Sequence, residues 1–134
     1  MAIRYLLDTN TVSYIIRGNF PAVREHLVNV PMPDVAVSAI TEAELHYGVA
    51  RLGQSQLEKL VTEFLLRLTI LPWDSTSAQE YGRLRADLER EGQPMGNLDL
   101  MIAAQAMALD LILVTNDQAF QRIKRLRIEN WTNP

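Results

Sequence analysis

Residues 96–117 read GNLDLMIAAQAMALDLILVTND, and this stretch decides the fold. From Leu98 to Leu109 apolar and small side chains come round on nearly every side, which predicts a buried helix and not an amphipathic surface one. Leu111–Val114 then forms a short unbroken apolar run, the pattern of a strand covered on both faces. A buried helix feeding such a strand fits a parallel sheet sandwiched between helices.

The rest of the chain alternates in the same way. Ile3–Leu7 reads as a first strand, followed by a helix to about Arg17 that Gly18 ends, and residues 21–29 suit a short helix opened by Pro21. Val35–Ser38 is β-branched and set off by prolines, a second strand. A helix over about Thr41–Leu52 follows, with Gly53 at the position after its end. In Gln56–Leu68 the residues Leu57, Leu60, Val61, Phe64, Leu65 and Leu68 form one apolar helical face, more often core than interface. Thr69–Leu71 predicts a strand, Asp74 or Ser75 caps a polar helix to about Glu91, and Arg127–Asn130 suits a last edge strand. With no repeat, linker or shift in composition, residues 1–134 read as one α/β domain with a mostly parallel central sheet.

Composition narrows the function. The chain has 134 residues, 48% hydrophobic and 22% charged, with no cysteine. That excludes a disulfide scaffold, thiolate zinc sites and thiol catalysis. No apolar run is long enough to span a membrane, and the start is not a signal peptide, so a cytoplasmic protein without membrane contact is expected. Thirteen Lys+Arg against sixteen Asp+Glu give a net charge of −3, on its face an argument against a polyanionic partner. The cations are uneven, however: eleven are Arg, and the segment from Gln118 to Pro134 is net +3.

In open parallel sheets ligands gather at the carboxyl ends of the strands, and four acids fall near that edge. Asp8 follows the first strand in LLDTN, Glu44 lies in the helix after VAVS, Asp99 opens the buried helix, and Asp117 follows LILV in VTND. Asp8 and Asp117 could instead cap turns, and Glu44 alone could be a solvated helix acid. Asp99 is harder to assign to structure, because a carboxylate on a buried helix is costly unless paired, protonated or bound to a cation. Together they make an all-oxygen set suited to Mg²⁺ or Mn²⁺ and not to zinc. Such ions activate water and steady the leaving oxygen of a phosphodiester, which points to a metal-dependent nuclease. Asn10, Thr115 and Asn116 sit beside these acids and could position them. His26 and His46 have no spaced partner, and no GxGxxG, Walker or GxSxG pattern occurs.

Four segments in order resemble the PIN-domain ribonucleases, and within them the VapC toxins of VapBC toxin–antitoxin pairs: LLDTN, ITEAELHYGV, GNLDLMIAAQA and LILVTNDQAF, with IENW as the close. The likeness runs essentially from end to end. It implies a three-layer PIN-like α/β/α sandwich and Mg²⁺- or Mn²⁺-dependent endoribonuclease activity that leaves 5′-phosphate and 3′-hydroxyl ends. Asp8, Glu44 and Asp99 are then the metal-holding catalytic acids, and Asp117 completes the pocket or binds a second ion. Helical periodicity on its own selects Glu42 over Glu44, whereas the A-E-L-x-x-G match selects Glu44 and leaves Glu42 as an auxiliary. The resemblance further implies cleavage of a structured RNA such as a tRNA, a homodimer, and a small VapB-type antitoxin that contacts promoter DNA for the pair.

Two other readings stay open on the residues. A different Mg²⁺-dependent phosphoryl hydrolase fits less well, since haloacid-dehalogenase-like enzymes need an Asp two residues after the first and Asn10 stands there. A non-catalytic binding module, with acids that only cap helices, is separated from a nuclease by metal dependence. Setting the four acids aside leaves a balance of +1, so the acidic total reports a pocket more than an RNA-repelling surface.

Overall fold

The computed structural model describes residues 2–133. Its centre is a five-stranded sheet formed by β1 (Tyr5–Leu7), β2 (Val35–Ser38), β3 (Thr69–Leu71), β4 (Ile112–Val114) and β5 (Ile128–Glu129). The spatial order is β3-β2-β1-β4-β5 and every pairing is parallel. Leu7 lies beside Val37 on one side and Val114 on the other, so the carboxyl ends of the central strands form one edge.

Six helices cover the sheet: α1 (Thr9–Arg17), α2 (Pro21–Val28), α3 (Ala39–Leu52), α4 (Ser55–Arg67), α5 (Ser75–Arg90) and α6 (Asn97–Ala108). Alternation along β1 divides the interior. Tyr5 and Leu7 join Val12, Val23, Leu45, Val61 and Leu65 in the layer beneath α1–α4. Leu6 points the other way, into the cluster of Leu84, Leu88, Leu100 and Ala103 from α5 and α6. These two clusters on opposite faces make the three layers expected of a parallel sheet.

Local chemistry sets the ends of the elements. Ser38 accepts from the Ile40 N–H, so α3 starts at Ala39, two residues before the sequence suggests. Gly18 and Gly53 end α1 and α3 in the left-handed conformation that glycine adopts without strain. Two 3₁₀ turns, Met32–Asp34 and Gln118–Arg122, were not expected, since single turns have no apolar period to announce them.

The helix read as buried all round is so through Leu100 and Ile102–Ala106, while its two flanks, Leu98 and Leu109, reach solvent. In α4 the apolar face divides: Val61 and Leu65, with Leu68 just past its end, are core, whereas Leu60 is exposed. Among the described residues no helix is long and apolar enough to cross a membrane.

Candidate active site

From β1 the chain passes through β2 and β3 to one side, then returns past β1 to β4 on the other. The turning point is therefore the gap between the carboxyl ends of β1 and β4, where neighbouring loops diverge and open a crevice. Asp8 and Asp117 sit on its two sides. The Asp8 N–H donates to the Val114 carbonyl at 3.1 Å, which stitches the rims together.

Asp8 is 4% exposed and caps α1, its Oδ1 accepting from the Thr11 N–H at 2.8 Å. The capping role and the site role coincide in one carboxylate. Burial raises its pKa, hydrogen bonds from Thr115 and Thr11 pull it back, and the Asp117 charge pushes it up again. Asp117 in turn caps the following 3₁₀ turn, accepting from the Ala119 N–H at 2.9 Å. Its own N–H donates to the Thr115 hydroxyl at 3.0 Å, so the buried Thr115 touches both acids.

Asp99 stands half-buried in the first turn of α6. Its carboxyl is pushed up to about 6, first by desolvation and then by the charges of Asp117, Glu44 and Asp8. All four acids therefore lie in one electrostatic neighbourhood. Among the described residues none of the four is in an ion pair; the arginines that do pair find other acids, as in Arg4–Asp34, Arg125–Glu80 and Arg127–Asp110.

Glu44 is reached from α1: the Thr9 hydroxyl donates to its Oε1 at 2.5 Å, and Thr9 also approaches the Thr41 hydroxyl at 3.2 Å. Glu42 instead lies 4.0 Å from His46, one turn further along α3. Asn116 accepts from the Tyr14 hydroxyl at 3.3 Å, which ties the β4 loop to α1. Asn10 is exposed and makes no side-chain hydrogen bond among the described residues, whereas its neighbour Thr9 bonds Glu44. Thr9, Thr11, Thr41 and Tyr14 were missed. Thr41 carried a usable signal, because it precedes Glu44 by three residues and so shares its helical face.

Carboxylates gathered without a counter-cation suit a divalent ion by charge and by donor type. Among the described residues no three of them are drawn together tightly enough to grip an ion as placed. Mg²⁺ keeps several waters and needs only one or two direct carboxylates, so this spacing is compatible with it.

A PIN domain family model matches residues 5–126. The chain is 35% identical over 132 residues to the tRNA(fMet)-specific endonuclease VapC of Shigella flexneri, covering 97% of this chain and 99% of that protein. It is 39% identical over 131 residues to ribonuclease VapC2 of Haemophilus influenzae, covering 96% and 98%. Among solved structures, DNA-bound VapBC from Salmonella typhimurium matches with a TM-score of 0.90 at 37% identity, over 96% of this chain and 98% of that one.

Proposed function

The chain belongs to the PIN domain family, and from that premise we propose that it is the endoribonuclease toxin of a toxin–antitoxin pair, restrained by a small antitoxin of the VapB kind. The carrying observation is the set of four mutually interacting carboxylates at the β1/β4 switch point, none of them in an ion pair among the described residues. PIN-domain nucleases generally depend on a divalent metal. In this chain Asp8, Glu44 and Asp99 would hold it, with Asp117 completing the pocket, and Mg²⁺ or Mn²⁺ is the ion that an all-oxygen set favours. When bound, the ion supplies positive charge that acidifies water and stabilises the departing oxygen.

The side chains prepare that chemistry. Thr11 and Thr115 hold Asp8 in place against the cost of burying it. Thr9 fixes the long Glu44 side chain, and desolvation together with the Asp117 charge keeps Asp99 reluctant to ionise until positive charge arrives. Hydrolysis adds water across the P–O3′ bond, leaving a 3′-hydroxyl on the upstream fragment and a 5′-phosphate on the downstream one. The substrate class is structured RNA, and the relative that acts on tRNA(fMet) makes a tRNA the first candidate.

The whole chain acts as one domain in the cytoplasm, where tRNA is found, and pairs with a second copy of itself. A groove between α1, α2 and α4, lined by Ile15, Ile16, Leu27, Met32, Leu60 and Phe64, offers the antitoxin an apolar seat. Promoter DNA is reached through the antitoxin, as the DNA-bound relative suggests. The deciding experiment incubates purified chain with unfractionated tRNA in Mg²⁺, in Mn²⁺ and in EDTA, beside the Asp99→Asn variant. Cleavage in metal alone, with 5′-phosphate ends and none from the variant, is expected. Equal cleavage in EDTA or by the variant refutes the reading.

A further inference from the structure

A second groove, between α1, α3 and α4, opens directly from the site, since Thr9 and Glu44 line one end of it. Its floor is apolar, with Leu45 and Val49, and its far end carries Arg17 and Arg51. Arg51 lies seven residues beyond Glu44 on α3, about 10 Å along the axis, and Arg17 lies eight beyond Thr9 on α1, about 12 Å. Neither guanidinium takes part in an ion pair among the described residues. Both stand in last turns, where the helix dipole accounts for a cation but not for two facing one groove.

Alongside this groove α3 presents an ordered face, of which Glu44, Gly48 and Arg51 line the groove and Tyr47 stands outside its lining. Glu44, Tyr47, Gly48 and Arg51 recur at i, i+3, i+4 and i+7 and therefore share one side of the helix. Tyr47 is 67% exposed, and its ring packs on no other aromatic among the described residues. A Cβ at Gly48 would meet nothing within 4 Å, so the surface between Glu44 and Arg51 is bare. Proceeding from the acids, the face runs carboxylate, aromatic ring, open backbone and guanidinium.

We propose that this face is the track of the RNA strand leaving the scissile phosphate, with Tyr47 stacking a base and Arg17 and Arg51 holding a phosphate about three stacked nucleotides away. This rests on the nuclease reading of the acidic site and specifies how that site is fed. Charge decides for RNA: free guanidiniums beside an exposed ring match a phosphodiester strand, and Gly48 lets that strand approach closely.

The test measures kcat/KM for unfractionated tRNA in saturating Mn²⁺ across a range of KCl, using the full chain. Arg17→Gln with Arg51→Gln is expected to lower kcat/KM about tenfold and to flatten its logarithmic salt slope by about 0.7, the value for one lost phosphate contact. Arg17→Lys with Arg51→Lys keeps the slope, because the charges remain. Tyr47→Ala loses roughly tenfold, and Tyr47→Phe retains the stacking ring. Gly48→Met fills the bare surface and lowers kcat/KM, yet raises the melting temperature because glycine is a poor helix former.

An unchanged salt slope in the Gln pair, or full activity in Gly48→Met, overturns the track. A Tyr47→Ala loss that tracks a change in oligomeric state, read by sedimentation, also overturns it, since the face is then a protein contact. Failure of the unaltered chain to cleave any RNA instead overturns the nuclease reading beneath it.

Discussion

Replacing Asp99 with Asn removes one negative charge from a site that holds three others, and it should make the metal-free protein more stable while abolishing its activity. Desolvation and the charges of Asp117, Glu44 and Asp8 lift the Asp99 carboxyl from 3.8 to about 6. That rise corresponds to about 3 kcal/mol against the ionised form, at 1.36 kcal/mol per pKa unit. Asp99 is only half-buried, and screening by solvent leaves about 1–2 kcal/mol. Because the folded chain holds this proton more tightly than the unfolded one, the relative stability is fully present below pH 3.8 and is lost as pH rises through about 6. At pH 7.5 the native protein carries the whole penalty and Asp99→Asn carries none. In EDTA at that pH the variant should melt higher by about 4–8 °C, taking about 4 °C per kcal/mol for a chain of this size. At pH 4 most of the gap should close, since both side chains are then uncharged in the fold. Saturating Mn²⁺ should reverse the order, because an ion bound only by the native state stabilises it by about 2.7 kcal/mol at a hundredfold excess over Kd. Thermal unfolding followed by circular dichroism measures all three. A variant less stable than the native chain in EDTA at pH 7.5, or a gap that does not change with pH, refutes the account of Asp99.

Three further outcomes separate roles within the site. Asp8→Asn and Asp8→Ala should both be inactive, but Asn preserves the cap on α1, so in urea titrations it should be more stable than Ala by about 1 kcal/mol. Thr9→Val removes the hydroxyl that holds Glu44; the Mn²⁺ concentration for half-maximal cleavage should rise by roughly tenfold with little change in the melting curve. Glu44→Gln should cost at least about 100-fold in kcat/KM on RNA, consistent with several kcal/mol of lost metal stabilisation, whereas Glu42→Gln should stay within about twofold.

Much of the fold was legible because burial leaves a periodic mark. The unbroken run at Leu111–Val114 and the all-round apolar helix before it could only be covered on both sides, and the parallel sheet follows from them. Elements without such a mark were less legible. The 3₁₀ turn that Asp117 caps has no period, and the last strand shrank from the four residues expected to Ile128–Glu129 because a sheet edge is covered on one flank only. Glu44 shows the same limit within the site. Periodicity on α3 selects Glu42, since it counts which residues face the core. What distinguishes Glu44 is the Thr9 hydroxyl arriving from α1, a contact across thirty-five positions of chain.

By itself the sequence determined the layered parallel fold, the exclusion of thiol chemistry, and the family to which four short acidic segments belong. These follow from composition and from spacing along one chain, which each residue carries with it. Only the tertiary structure decided that Asp99 is pushed up to about 6 by desolvation and three other carboxylates, that the Thr9 hydroxyl reaches Glu44, and that Arg17 and Arg51 line the same groove. Those are relations between helices distant in sequence. They exist only once the strand order turns back between β1 and β4 and sets the ends of those elements side by side.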